Sequence, residues 1–68
     1  MTIAVIFHDE QDEYGIPTGE FVVSHGFDTK TGHAIPLPQH TFNDMKSIYG
    51  KEFLFDADYG WTITLAKA

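Results

Sequence analysis

The chain has 68 residues, with ten Asp and Glu, four Lys, no Arg and no Cys, and its formal charge is −6. Binding of nucleic acid or of an anionic membrane requires clustered Lys and Arg, so the four dispersed Lys exclude both partners. The absence of Cys excludes disulfides and thiolate chemistry, which predicts a cytoplasmic protein. Because 43% of the residues are hydrophobic, we expect one folded domain over residues 1–68.

The N-terminal half of the sequence predicts two strands joined by a long loop. Thr2–His8 is a strand with two apolar faces, which is typical of the centre of a sheet. Asp9–Gly19 carries four acids in its first five residues and then turn residues, which predicts a surface loop. Glu20–Phe27 is the second strand and is expected to pair antiparallel with the first. The side chains predicted to share one of its faces are Phe21, Val23 and His25.

A short third strand and a short helix follow in the sequence. After a turn at 28–32, His33–Leu37 is predicted as a short edge strand or an extended arm, because prolines cannot donate to a ladder. The helix is expected to begin with Thr41 as its N-cap residue and to end at Tyr49, before a glycine. Asp44 lies three residues after the cap, which predicts a capping box.

The last predicted element is a hairpin of two strands, Glu52–Asp56 and Trp61–Lys67. The complete pattern predicts an α+β fold. It consists of an antiparallel sheet of four to five strands with one short α-helix between the third and fourth strands. The aromatic residues predicted to form its core are Phe7, Phe21, Phe53, Phe55 and Trp61.

The acidic loop is a candidate cation site. Its oxygen-bearing side chains match the first, third, fifth and twelfth positions of a twelve-residue calcium loop, namely Asp9, Gln11, Glu13 and Glu20. Tyr14 occupies the sixth position, where the sharp turn of such a loop needs Gly. The flanking segments are predicted strands rather than helices. We therefore predict a solvated surface loop without a metal.

The four His residues raise the alternative of a zinc site. If Phe27 faces His33 across the turn, His25 and His33 lie diagonally on one face of the hairpin, within reach of a shared ion. The sequence contains no close His pair at the spacing of metal ligands, and the remaining ligands are undefined. No metal and no cofactor are therefore predicted.

Catalytic constellations are also weak in this sequence. Ser24 and His25 are adjacent on a predicted strand, so their side chains should point to opposite faces and cannot pair as nucleophile and base. Asp56 and Asp58 resemble a carboxylate pair, but a chain of 7.7 kDa has little room for the cleft that a sugar ring requires. We predict that the protein is not an enzyme and has no catalytic residues.

The acids and the tyrosines beside them favour a protein-interaction module that covers a basic, nucleic-acid-binding surface of a partner protein. Carboxylates would take the place of the displaced phosphates. The predicted partner-binding residues are Asp9, Glu10, Asp12, Glu13, Tyr14, Asp56, Asp58 and Tyr59.

In its size, acidity and lack of catalytic motifs, the chain resembles small phage and mobile-element proteins that inhibit host machinery, anti-CRISPR proteins among them. The resemblance is one of size and composition and implies no site, whereas inhibition by occlusion is inferred from the acids. Two other interpretations stay open. One is a small metal- or ligand-binding domain that uses the histidines or the acidic loop, and the other is a structural or accessory subunit of a larger assembly. The sequence leaves the oligomeric state undetermined.

Overall fold

The computed structural model describes residues 1–65. Its elements in chain order are β1 (Thr2–Gln11), β2 (Pro17–Asp28), β3 (Ala34–Ile35), α1 (Phe42–Tyr49), a short 3-10 helix (Gly50–Glu52), β4 (Phe53–Asp56) and β5 (Gly60–Thr64). The five strands form an antiparallel sheet in the order β3-β2-β1-β5-β4, with β1 at its centre. The predicted α+β fold, with a short helix between the third and fourth strands, is confirmed.

One face of the sheet contains the core and is covered by α1. Ile63 pairs with Ile3 on β1 and with Phe53 on β4, so these three side chains lie side by side on adjacent strands. Met45, in the middle of α1, is 2% exposed and packs against the sheet. The buried cluster consists of Ile3, Val5, Val23, Met45, Phe53 and Ile63. The core therefore lies over the N-terminal half of β1.

Helix α1 has the predicted limits. The Asp44 backbone N–H donates to Oγ1 of Thr41 at 3.1 Å, and the Thr41 N–H donates to the Asp44 carboxylate at 3.2 Å, which completes the capping box. After Tyr49 the chain turns at Gly50, whose φ of 53° favours glycine. A helix of 8 residues is marginal alone, so burial of Met45 holds it in place. Among residues 1–65, no helix is long and apolar enough to cross a membrane.

The predicted loop over Asp9–Gly19 is wrong. β1 continues to Gln11 and pairs there with Pro17 of β2, so only residues 12–16 form the turn. Gly19 has a φ of 89° and lies where the register of the two strands shifts, which lets the ladder continue. The acids do not prevent a strand because their exposed carboxylates stay in water, and pairing of the backbone costs them no desolvation.

A β-bulge in β2 changes which side chains share a face. Ile6 pairs with His25, whereas Phe7 pairs with Val23, so Ser24 is the extra residue. His25 therefore lies on the face opposite Val23, and the prediction that these two share a face is wrong. The prediction that Ser24 and His25 point apart is also wrong, because Oγ of Ser24 lies 3.1 Å from Nδ1 of His25.

The third strand is shorter than predicted. Only Ala34 and Ile35 of the segment His33–Leu37 pair with β2, since the prolines on either side of Leu37 lack an N–H. The chain then stays beside β2, where the His40 carbonyl accepts a hydrogen bond of 2.9 Å from the Val23 N–H. Backbone contacts thus continue along β2 as far as the start of α1.

The last strand and part of the predicted core also differ from expectation. β5 starts one residue before the predicted Trp61–Lys67 strand, and residues 66 and 67 of that prediction lie outside the described residues. Phe53 is buried, but Phe21 and Phe55 are 52% and 66% exposed, so their assignment to the core is wrong. With about two turns, α1 is too short to cover the sheet as far as these two rings.

Candidate interaction surface

The distal part of the β1–β2 hairpin, residues 9–20, carries most of the net charge, and we call it the acidic arm. Its 12 residues include five of the ten acids and no Lys, His or Arg. The other 56 residues contain five acids and four Lys and are nearly neutral. The charge of −6 is therefore concentrated at one end of the molecule rather than spread over its surface.

The acidic arm projects from the rest of the protein. The described residues span 41 × 24 × 24 Å, and every arm residue except the half-buried Glu10 is exposed. β1 pairs with β5 only through Thr2–Ala4, and on its outer side β2 has backbone pairing only from Val22 onward in the described chain. Both backbone edges of the arm are consequently open. At its tip, the side chains of Tyr14 and Ile16 are 79% and 59% exposed.

The turn of the arm is held by a side chain that was predicted as a binding residue. Oδ1 of Asp12 accepts hydrogen bonds from the N–H groups of Tyr14, at 2.8 Å, and Ile16, at 3.0 Å. Among residues 1–65, the carboxylates of the other four arm acids accept no hydrogen bond; these are Asp9, Glu10, Glu13 and Glu20. The acidic arm thus presents four carboxylates to solvent beside an exposed aromatic tip.

The second predicted acidic segment is the turn between β4 and β5. Oδ1 of Asp56 accepts hydrogen bonds from the N–H groups of Asp58, at 2.7 Å, and Tyr59, at 3.1 Å. The Tyr59 ring packs edge-on against Phe27 with centroids 6.3 Å apart, and its hydroxyl lies 3.5 Å from the Thr29 carbonyl. Asp56 and Tyr59 are therefore engaged within the fold, whereas Tyr14 is not.

The two acidic segments belong to different hairpins. Asp9, Glu10, Asp12, Glu13 and Tyr14 lie in the distal part of the β1–β2 hairpin, whereas Asp56, Asp58 and Tyr59 lie in the turn between β4 and β5. The Tyr59 side chain packs against Phe27 and reaches the Thr29 carbonyl, at the end of β2 opposite the acidic arm.

An aromatic cavity at the base of the acidic arm was not predicted. It has a volume of about 440 Å³ and is lined by Phe7, Phe21, Phe42 and Trp61. Phe42 and Trp61 are in edge-on contact, with ring centroids 5.0 Å apart, and Phe7 lies 5.5 Å from Phe42. The sequence offered one signal for this site, which is the position of Phe21 directly after an acid in an otherwise solvated segment.

The residues considered for metal binding do not converge. Phe27 faces Ala34 rather than His33, and the Asp28 N–H donates to the His33 carbonyl. His33 therefore lies one register position from the predicted one, on the face opposite His25, and the diagonal pair is wrong. The four side chains of the calcium spacing lie along an extended hairpin. Within residues 1–65, no three His, Asp or Glu side chains are grouped closely enough to hold a metal ion.

The contact between Ser24 and His25 is the only hydroxyl–imidazole pair among the described hydrogen bonds. Both side chains are exposed, and no carboxylate in residues 1–65 bonds the His25 ring. A nucleophile and base of this kind need a third group that orients the base. The geometry of this pair does not supply one.

Comparison of the chain with protein-family models, curated proteins and solved structures gave no match. The function is therefore argued from the residues of the chain itself.

Proposed function

We propose that the protein is an interaction module that uses its acidic arm to occlude a basic surface on a partner protein. The observation that carries this proposal is the concentration of five acids, without a single cation, on a projecting hairpin of 12 residues. Carboxylates on a narrow hairpin can enter a groove that normally holds phosphates. The mechanism is occlusion rather than chemistry.

The tip of the acidic arm supports binding rather than solubility alone. Tyr14 and Ile16 are exposed between acids and open backbone edges, and an exposed aromatic flanked by charge is typical of the centre of a protein interface. Charge would speed and orient the encounter, and the apolar tip would slow dissociation. The partner chemistry that fits is a basic, nucleic-acid-binding protein.

The second acidic segment has a smaller part in the proposal. Asp56 and Asp58 belong to a different hairpin from the acidic arm, and the Asp56 carboxylate already accepts hydrogen bonds from the N–H groups of its own turn. We assign the main contact to Asp9, Glu10, Asp12, Glu13 and Tyr14. A cytoplasmic location and an origin in a phage or mobile element belong to the same proposal, and rest on the composition of the chain.

The test compares two variants with equal charge change. Glu10→Gln with Glu13→Gln removes two charges from the acidic arm, and Asp28→Asn with Glu52→Gln removes two from the rest of the protein. The two variants and the wild-type chain are immobilised on separate supports. Each support is exposed to a lysate of the natural host, and captured proteins are eluted by a salt step. The binding of nucleic acid by the captured protein is then measured with and without the wild-type chain.

We expect the arm variant to lose capture, the matched variant to retain it, and the wild-type chain to displace nucleic acid from the captured protein. Affinity should fall at least tenfold between about 0.05 M and about 0.5 M NaCl, since exposed charges are screened over that range. Equal capture by both variants, or affinity independent of salt, would overturn the proposal.

A further inference from the structure

The aromatic cavity at the base of the acidic arm is lined by four rings that are not fully buried. Phe7, Phe42 and Trp61 are half-buried, and Phe21 is 52% exposed, so the rings form an accessible wall. An apolar cavity of about 440 Å³ has room for one side chain of a partner. The charge around it decides what kind of side chain fits.

One carboxylate of the acidic arm lies beside a ring of the cavity. Asp9 lies directly opposite Phe21 in the β1–β2 ladder and therefore shares its face, with side chains about 5 Å apart at their Cβ atoms. A cation bound against Phe21 would be attracted by the Asp9 carboxylate.

The aromatic cluster already holds one cation. Nζ of Lys46 lies 4.8 Å from the centroid of the Phe42 ring. Aromatic ring faces carry negative potential and attract ammonium and guanidinium groups at this distance. The contact occupies Phe42 alone, and because like charges repel, a second cation would bind against Phe21, beside Asp9 and away from Lys46.

We propose that the aromatic cavity receives an arginine side chain of the basic partner, an inference that rests on the proposed function. The planar guanidinium stacks on aromatic rings and is less strongly hydrated than an ammonium group, so its desolvation in the cavity costs less than that of lysine. The three methylene groups of the arginine side chain contact the rings, and its charge lies toward Asp9.

The direct test uses two peptides that differ by one charge. Acetyl-Gly-Arg-Gly-amide and its citrulline analogue have nearly the same shape, but citrulline is neutral. Both are titrated into the full chain at constant ionic strength. Trp61 is the only tryptophan of the chain and lines the cavity, so its fluorescence and its indole NMR signal report occupancy. We expect saturable binding of the arginine peptide and about tenfold weaker binding of the citrulline peptide.

Variants separate the cation–aromatic contact from apolar burial. Phe21→Leu keeps an apolar side chain without a ring and should lower the affinity for the arginine peptide by about fivefold. It should leave the affinity for an acetyl-Gly-Leu-Gly-amide peptide unchanged. Asp9→Asn should also weaken binding of the arginine peptide, and Asp28→Asn, which removes an equal charge at the opposite end of β2, should not. Melting curves of each variant check that the fold is retained.

Three outcomes would overturn the inference: no saturable signal, equal affinity for the arginine and citrulline peptides, or tighter binding of the leucine peptide, which would identify an apolar occupant. These outcomes are distinct from failure of the proposed function. If the arginine peptide does not bind but partner capture still depends on Glu10 and Glu13, the cavity inference falls alone. If the arginine peptide binds but partner capture is unchanged by Glu10→Gln with Glu13→Gln, the proposed function is wrong.

Discussion

The acidic arm and the helix-covered part of the sheet are built from the same two strands but owe their form to different interactions. Around α1, β1 and β2 bury Ile3, Val5 and Val23 against a packed core. Beyond Phe21 the same strands are solvated on both faces and hold together through backbone pairing and the Asp12 turn. One end of the β1–β2 hairpin therefore contributes the buried core, and the other end carries the charge.

The largest expected effect on the free energy of unfolding comes from a substitution in the core. Ile3 is fully buried between β2 and β5, so Ile3→Ala should lower the free energy of unfolding by about 2–5 kcal/mol through lost burial and a residual cavity. Ile16→Ala, at the exposed tip of the acidic arm, should change it by less than about 0.5 kcal/mol. Urea unfolding of both variants measures the contrast, and equal losses would refute the division.

A second prediction concerns the close contact of β1 and β2 at Gly26. A Cβ added there would lie 2.6 Å from Cγ2 of Ile3 and 2.8 Å from Cδ1 of Leu37. Gly26→Ala should therefore destabilise the protein by about 1–3 kcal/mol through overpacking. Ser24→Ala, on the exposed bulge nearby, is the matched control in thermal melts. A neutral Gly26→Ala variant would mean that the two side chains move aside freely.

Loss of the N-cap of α1 should have an intermediate effect on the free energy of unfolding. Thr41→Ala removes the acceptor for the Asp44 N–H and should cost about 1 kcal/mol. Thr41→Ser keeps the hydroxyl and should restore most of the stability. Chemical denaturation of both variants is the measurement, and an equal loss in the two would assign the effect to the Thr41 methyl group instead of the cap.

The smallest expected effect is a difference in amide hydrogen exchange between the core and the acidic arm, which is measured on the wild-type chain. Amides of Val23 and Ile63 lie in the core and should exchange with solvent deuterium only on global opening, whereas amides of residues 12–20 should exchange through local fraying. Hydrogen exchange followed by NMR measures this gradient. Equal protection of the acidic arm and the core strands would show that the whole hairpin opens as one unit.

The fold class could be predicted because its signals are local. The continuous apolar run of β1, the alternating apolar residues of β5, and the pair Thr41 and Asp44 at the start of α1 are each patterns of a few residues. The extent of the β1–β2 hairpin could not be predicted in this way. A run of acids is typical of a loop, but pairing of Gln11 with Pro17 depends on two bulges, at Ser24 and near Gly19, that shift the register and are not visible in the local pattern.

The candidate site was predicted only in part for a similar reason. Residues 9–14 could be selected from their charge, but the distance between them and the β4–β5 turn depends on the packing of Tyr59 against Phe27 and Thr29. The aromatic cavity depends on where α1 stops covering the sheet. No pattern in the chain encodes that limit directly, because the helix and Phe21 are separated by twenty residues.

The open edges of the acidic arm have a consequence for the protein in concentrated solution. An unpaired, exposed strand edge is a template on which another copy of the same chain can pair, and such pairing leads to aggregation. Like charges on two approaching arms repel each other, so the carboxylates act as a barrier to self-assembly. The acids of the arm would then serve two purposes: they bind the partner protein, and they prevent edge-to-edge pairing between two copies of this chain.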